Sequence, residues 1–349
     1  MAETLTHRHE ILFVYDVKDA NPNGDPIDEN KPRIDEETGV NIVTDVRLKR
    51  TIRDFLYENK GMEIFVREIE YEPGLIQDAK MRALDFVKEF SGINKEQKEV
   101  LDLYLDKKKK IKKKHFDIIK NIARKNLINF AIDVRLFGAT VPFEINKSKI
   151  EDSKEDLKSS ITLTGPVQFK MGRSLHRVDI KFIKGTGAFA SKPGKGQSTF
   201  REEYILPYSL IVFHGIANEN AAKHTGMTDS DLDLLMEAIW NGTKNLISRS
   251  KFGQMPRLLL DIEYKEPHFH IGDLDKLVAI KKEDGIEDEA LRDISQLTLN
   301  ILPLVEALQR EKEKIVRIRY KIDERLEMAP AIAQFSQLLE SVPLSSFSF

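Results

Sequence analysis

Three apolar runs constrain what this chain can fold into. HEILFVYDV (His9–Val17), YILPYSLIVFHG (Tyr204–Gly215) and RLLLDIEY (Arg257–Tyr264) are dense in β-branched and aromatic residues and read as buried strands. After the first run, VRLKRTIRDFLYENKG reads as a helix that Thr44 or Asp45 caps and Gly61 stops, with Leu48, Ile52, Phe55 and Leu56 along one side. A second amphipathic helix, Asp229–Leu246, is capped by the Thr228–Asp229 pair and separates the second and third runs. Further strand character falls at Asn129–Ile145, SITLTGPVQF and RVDIKFIKG. The order is strand, helix, strands, strand, helix, strand. It predicts an α+β fold with a ferredoxin-like or RRM-type core and large insertions. One insertion, from about 75 to 128, reads as helical and contains KKKKIKKK (Lys107–Lys114). The other is a loop or hairpin around Gly185–Phe200. The tail from about Glu287 to Ala329 reads as helical and packed on the body.

Charge is the second constraint. The 349 residues carry 55 Lys+Arg against 57 Asp+Glu, a formal net charge of −2, which excludes a uniformly basic binder. By segment the charges separate. The first 40 residues hold ten acids and four bases, whereas 43–53 hold four bases and one acid. Residues 105–125 hold ten bases and two acids, 166–201 eight bases and one acid, and 244–257 four bases and no acid. Such clusters suit phosphate contacts, which give affinity with little sequence preference, although each also suits a solvated face or a protein partner. Arg47, Lys49, Arg50 and Arg53 border a turn-rich loop and a helix N-terminus, where anions sit naturally. SKPGKGQSTFR (Ser191–Arg201) offers Lys192, Lys195, Gln197 and Arg201 around a base-stacking or wedging aromatic. Arg249 and Lys251 follow in the loop ISRSKFGQMPR.

Most catalytic and cofactor chemistries fail on the residues. There is no cysteine, so thiol catalysis, disulfides, thiolate zinc and iron–sulfur sites are excluded. GTGAFA lacks the helix a dinucleotide site needs behind it, and GKGQS departs from the phosphate-loop pattern. RLFGATVPF matches an RRM submotif only in part. His7/His9 and His268/His270 stand without a carboxylate at ligand spacing, so no metal or other cofactor is expected. The carboxylates Asp25, Asp28, Glu29, Asp35, Glu36 and Glu37 are the one catalytic alternative, a metal-dependent endoribonuclease using the 25–37 loop. No signal peptide and no stretch of about 20 apolar residues is evident. A cytoplasmic protein with no membrane partner is expected.

Longer runs carry a resemblance. NPNGDP (Asn21–Pro26), PRID (Pro32–Asp35), VTDVRLKRTIRDFL (Val43–Leu56), DVRLFGA (Asp133–Ala139), TGPVQFKMGRSLHRV (Thr164–Val178) and REEYILPYSLIVFHG (Arg201–Gly215) resemble the RNA-binding backbone subunit of type I CRISPR interference complexes, within the RAMP superfamily. The nearest subgroup is type I-B, with type I-C sharing much of the first block. The resemblance implies a non-catalytic subunit that stacks head to tail along one CRISPR RNA in a Cascade complex. Its partners are then that RNA, neighbouring copies, other Cascade subunits and, through the guide, target DNA. It also implies an RRM-like palm (1–74 and 129–270), helical fingers (75–128), a thumb hairpin (about 182–203) and a C-terminal helical extension (271–349). The superfamily's S-L-K-G-x-x-R helix motif falls on Arg47–Arg53, with Lys49 and Arg53 in its basic positions and Arg47 and Arg50 replacing Ser and Gly. The RNA-contacting set expected is Arg47, Lys49, Arg50, Arg53, Gln168, Arg173, Ser174, Lys192, Lys195, Gln197, Arg201, Arg249 and Lys251. Phe189 or Phe200 would be the thumb wedge.

Overall fold

The computed structural model describes residues 3–186 and 200–349, without the side chains of Thr186, Phe200 and Arg201. The chain forms two compact units. One contains residues 1–6, 56–167 and 219–232, the other 7–55, 168–218 and 233–349. Its strands in the large sheet are β1 (Arg8–Ala20), β2 (Ile34–Asp35), β3 (Val40–Val43), β4 (Val167–Phe169), β5 (Gly172–Arg177), β6 (Lys181–Thr186), β7 (Phe200–Ala217), β8 (Gln254–Tyr264), β9 (Ile315–Ile322) and β10 (Leu344–Ser346). The principal helices are α1 (Asp45–Glu58), α2 (Lys95–Leu105), α3 (Phe116–Phe130), α4 (Asp229–Lys244) and α5 (Leu302–Arg310).

The sheet runs β10-β9-β8-β1-β7-β5-β3-β2, and β4 and β6 also pair with β7. β1 is central and antiparallel to both neighbours, with Phe13 opposite Phe213 on β7 and Leu259 on β8. Side chains alternate across a strand. Leu12 and Val14 enter a core with Leu258, Leu260, Leu297, Leu304 and Phe335. Tyr15 and Phe213 meet Leu48 and Thr51 of α1 instead. Both faces of β1 are therefore covered, which is why HEILFVYDV is apolar throughout rather than alternating. α1 and α4 approach closely at Gly242, where a Cβ would lie 3.1 Å from the Cβ of Phe55 and 3.2 Å from the carbonyl of Thr51.

The tail corrects its sequence reading. Instead of a helical extension, residues 271–349 hold only short helices, α5 the longest of them at nine residues, while β9 and β10 join the large sheet. In IVRIRYKI, Ile318, Tyr320 and Ile322 point to the core while Arg317, Arg319 and Lys321 alternate with them. The high charge of the segment masks a period of two.

The other unit has its own core, in which Phe86, Phe116, Ile119, Ile122, Phe143 and Ile161 are buried. α3 packs there with an antiparallel hairpin, Gly138–Ile145 against Leu157–Thr164. Two further readings change in this unit. Asn129–Phe137 is helical except at Ala131, which is extended and bridges Glu63, and the strand starts only at Gly138. Gly138 has φ +70° and lies so close to Leu163 and Gly165 that a Cβ would collide with their backbone. The lysine run is not part of a helix: Lys107–Lys112 links α2 to a short turn at Lys113–His115 that leads into α3. Among the described residues no helix is long and apolar enough to cross a membrane.

Candidate nucleic-acid interface

α1 begins where NPNGDP fixes it. The Asn23 side-chain oxygen accepts from both the backbone N–H and the hydroxyl of Thr44, each at 2.9 Å. Thr44 Oγ1 in turn accepts from the Arg47 N–H at 3.2 Å, so Thr44 is the capping residue. The loop carrying Arg249 and Lys251 is fixed against the end of β1. Lys18 N–H donates to the Gly253 carbonyl at 3.1 Å, and Asn21 N–H to the Ser250 carbonyl at 2.9 Å. Gly253 has φ +108°, and a Cβ there would sit 2.5 Å from the Lys18 carbonyl, so this approach requires glycine.

These anchors bring Arg47 and Lys251 together, close enough for their charges to repel. Burial, and secondly Arg47, pull the Lys251 ammonium down to about 8. Burial likewise lowers the Arg47 guanidinium, and burial raises the neighbouring Tyr15 hydroxyl. Lys251 Nζ donates to the Asn21 carbonyl at 2.6 Å, and Arg47 Nη2 to Thr51 Oγ1 at 2.9 Å. Arg47 Nε is buried with no hydrogen-bond partner among the described residues. Neither cation has a carboxylate in an ion pair there. Burial outweighs the favourable charge of Asp54 at Arg47, and Arg50 adds to the repulsion there.

Other expected residues gather in the same unit. Lys49 Nζ reaches Asp45 at 2.9 Å and Gln168 Oε1 at 3.1 Å, joining two members of the expected set that are distant in sequence. Arg50 pairs with Asp54 through Nε at 2.7 and 2.9 Å. Arg53 lies half-buried on the same helix. Arg173 donates to Asp35 at 3.1 Å, which with adjacent backbone N–H groups lowers the Asp35 carboxyl. Arg249 donates to Glu203 at 3.2 Å beside a cavity of about 420 Å³ lined also by Glu29, Tyr204 and Ser250. Ser174 leaves the set. It is buried, its hydroxyl accepting from the Asn41 N–H at 2.9 Å and donating to the His176 carbonyl at 2.6 Å. Alternation along β5 turns Ser174 inward and Arg173 outward. Phe189, Lys192, Lys195 and Gln197 lie outside the described residues; Phe200 and Arg201 begin β7, their side chains undescribed.

Sequence reasoning missed Asn21 and Tyr15. Asn21 stands in NPNGDP, but nothing in sequence shows that its carbonyl takes the Lys251 ammonium. Tyr15 reads as an ordinary core aromatic. The carboxylates of the 25–37 loop do not converge. Asp25 accepts from Arg33 at 2.6 Å, Asp28 from Lys31 at 2.7 Å, and Glu29 from the Tyr204 hydroxyl at 2.8 Å. Among the described residues no group of three His, Asp or Glu is placed to hold a metal ion. The first histidine pair also separates, His7 meeting Glu263 at 2.7 Å and His9 meeting Asp261 at 2.9 Å.

Sheet and cations together define a class: a mixed α/β protein with a large sheet and a cluster of cations beside it, of which Arg47 and Lys251 are half-buried without an ion-pair partner among the described residues. The chain belongs to the CRISPR-associated protein Cas7 family, whose model matches residues 7–302. It is similar to a CRISPR-associated protein Cas7 of Haloferax volcanii, 32% identical over 336 residues, covering 93% of this chain and 89% of that protein. Among solved structures it is similar to a chain of a CRISPR RNA-guided surveillance complex in a pre-nicking state, with TM-score 0.49 and 14% identity over 96% of this chain and 99% of that one. A chain of another CRISPR RNA-guided surveillance complex gives TM-score 0.45 and 13% identity over the same shares.

Proposed function

We propose that this chain is a CRISPR RNA-binding backbone subunit of a type I Cascade complex, most like the I-B subgroup. Copies stack head to tail along the guide and leave its bases open for target DNA. Family membership supports the reading, and the observation that carries it is the Arg47–Lys251 pair. A subunit that holds any guide sequence must grip phosphates and sugars rather than base edges. Half-buried cations lacking a carboxylate suit that task, and Lys49, Gln168, Arg53, Arg173 and Arg249 extend the grip in the same unit.

The strand order supports an RRM-like palm over 1–74 and 129–270. β8, β1, β7 and β5 are neighbours in that order and mutually antiparallel, with α1 after β1 and α4 after β7. Residues 75–128 are the fingers and about 182–203 the thumb. The thumb reading is supported by antiparallel pairing of β6 with the start of β7, from Lys181 opposite Ile205 to Thr186 opposite Phe200. In this reading Phe189 or Phe200 wedges the RNA, and Lys192, Lys195, Gln197 and Arg201 contact it. Residues 271–349 support the palm sheet. Head-to-tail stacking needs two different surfaces per copy, and the acid-rich first 40 residues offer one. The subunit itself cuts nothing and works in the cytoplasm.

The test is purification from the native operon. RNA of defined length should co-purify, and Lys49→Glu with Arg53→Glu should lose it. Assembled protein free of RNA would overturn the reading.

A further inference from the structure

β5 leaves its neighbours early. Among the described residues it pairs with β7 at Arg173 and Ser174 alone, opposite Val212 and Ile211, and its register against β3 shifts between Arg173 and Arg177. Beyond Ser174, side chains take over from the backbone ladder. His176 Nε2 accepts from the Leu210 N–H of β7 at 3.2 Å, and Nδ1 donates to the Arg177 carbonyl at 2.8 Å. The Ser174 hydroxyl joins the His176 carbonyl to the Asn41 N–H of β3. Asn41 ties both sides, its Oδ1 accepting from the Ser209 hydroxyl at 3.3 Å and its Nδ2 donating to the Arg33 carbonyl at 2.8 Å. Asn41, Ser174, His176 and Ser209 are all buried. The result is a seam of side-chain bonds through the sheet, from β7 across β5 to β3.

A backbone N–H only donates, so Nε2 is the unprotonated nitrogen and Nδ1 carries the hydrogen. Both bonds of the ring therefore require neutral histidine, and protonation would set an Nε2–H against the Leu210 N–H. We propose that neutral His176 is a positioning residue for guide binding, which holds β5 on β7 and, through Ser174 and Asn41, sets β3 and the start of α1. The inference rests on the guide-binding reading above. The path to the cations is short: β3 ends at Val43, Thr44 caps α1, and Arg47 stands in its first turn, while Arg173 projects from β5 itself. The ring stacks on Tyr208 with centroids 5.7 Å apart, and the Tyr208 hydroxyl donates to Asp16 at 3.3 Å. Asp288 accepts from the Arg177 N–H at 3.1 Å and pairs with Lys282, and the Arg177 guanidinium pairs with Glu289 at 3.0 Å. Burial lowers the His176 imidazolium and Lys282 adds to the effect, against the Arg177 carbonyl and Asp288.

The experiment measures binding of a uridine homopolymer to the purified full chain, freed of nucleic acid, by fluorescence anisotropy from pH 5 to 7. Uracil carries no group that titrates in that range. Added protons ordinarily strengthen the hold of a basic surface on RNA. The expected profile runs the other way: affinity is full above 6.5 and falls roughly 2- to 30-fold as pH drops through the lowered value of His176. His176→Leu removes the acceptor and should bind roughly 2- to 30-fold more weakly at pH 7, with no further fall. His176→Gln, whose side-chain oxygen takes the Leu210 N–H without titrating, should recover binding at pH 7 and also show no fall. A wild-type profile that is flat or rises toward pH 5 would overturn the proposal. So would a fall that persists in His176→Gln, or a His176→Leu protein that melts lower yet binds RNA as the wild type does. If His176→Leu does not fold, the wild-type and His176→Gln profiles decide. Wild-type protein that binds no RNA at pH 7 would overturn the guide-binding reading and this proposal with it, a result distinct from failure of the pH profile alone.

Discussion

Two buried charge clusters sit on β1, and they are built on opposite plans. On one face, the Glu10 carboxylate accepts from His214 Nε2 at 2.9 Å, the Tyr264 hydroxyl at 2.5 Å, and the N–H groups of Ile271 and Gly272 at 2.7 and 2.9 Å. His214 Nδ1 lies 3.4 Å from Asp275. Burial opposes each charge, yet the partners win, so His214 is raised and Glu10 and Asp275 are lowered. On the other face burial prevails: it lowers Lys251, with Arg47 adding to the effect, and it lowers Arg47 despite the nearby Asp54. In the first cluster every charge has an opposite charge beside it within the chain. In the second, neither Arg47 nor Lys251 has an ion-pair partner among the described residues, which is why we propose it as a site for a phosphate. Burial without an ion-pair partner is what makes the second cluster the candidate site.

The largest expected effect breaks the complete cluster. His214→Leu leaves the Glu10 carboxylate buried beside an apolar side chain and should cost about 3–5 kcal/mol in denaturant unfolding. Lys251→Met should act in the opposite direction on stability. It removes a buried, repelled charge and should raise the melting temperature by about 2–4 °C, the shift that about 1 kcal/mol produces. The same change should weaken guide RNA binding at least about tenfold, by loss of a charge-assisted contact worth about 1.5–3 kcal/mol. A variant that melts lower and binds RNA normally would make Lys251 structural.

The pH responses should differ in sign. His214 titrates above its ordinary value of 6.5, so its contribution is fully present below that value and is lost as pH rises through its raised value. Lys251 titrates near 8 against an ordinary 10.5, so the unfolded chain binds more protons between those values and stability rises with pH there. RNA affinity should fall over the same window, by at most about tenfold per pH unit, and Lys251→Arg should abolish the fall. Binding titrations from pH 7 to 10 check both. The smallest effect is expected at Arg50, more than half exposed in its pair with Asp54. Arg50→Ala should change stability by only about 0.3–0.5 kcal/mol.

The frame of the fold was legible because its strands are apolar runs and its two helices carry clean apolar stripes. Leu48, Ile52, Phe55 and Leu56 are all buried, as their spacing requires. The tail was not legible, since in IVRIRYKI dense charge hides a period of two. The lysine run looked helical because lysine favours helices, and a single buried Ile111 overrides that propensity by tertiary packing. For the candidate site, charge segregation located Arg47 and Lys251 individually. Their pairing depends on Gly253, Asn21 and the end of β1, contacts distant in sequence that local patterns do not encode. Ser174 falls between SITLTGPVQF and RVDIKFIKG, outside the segments that read as strands, so the inward turn it takes in β5 is not legible in the sequence.

The central claim is that the cations of the sheet-bearing unit hold a guide RNA. The most direct test is the nucleic acid that co-purifies with wild-type and Lys251→Met protein expressed from the native operon, read by absorbance spectrum and by gel after extraction. The account predicts RNA of one defined length with the wild type and a clear loss with the variant, whose fold is intact. Wild-type protein that assembles without RNA, or a variant that retains the full complement, would contradict it.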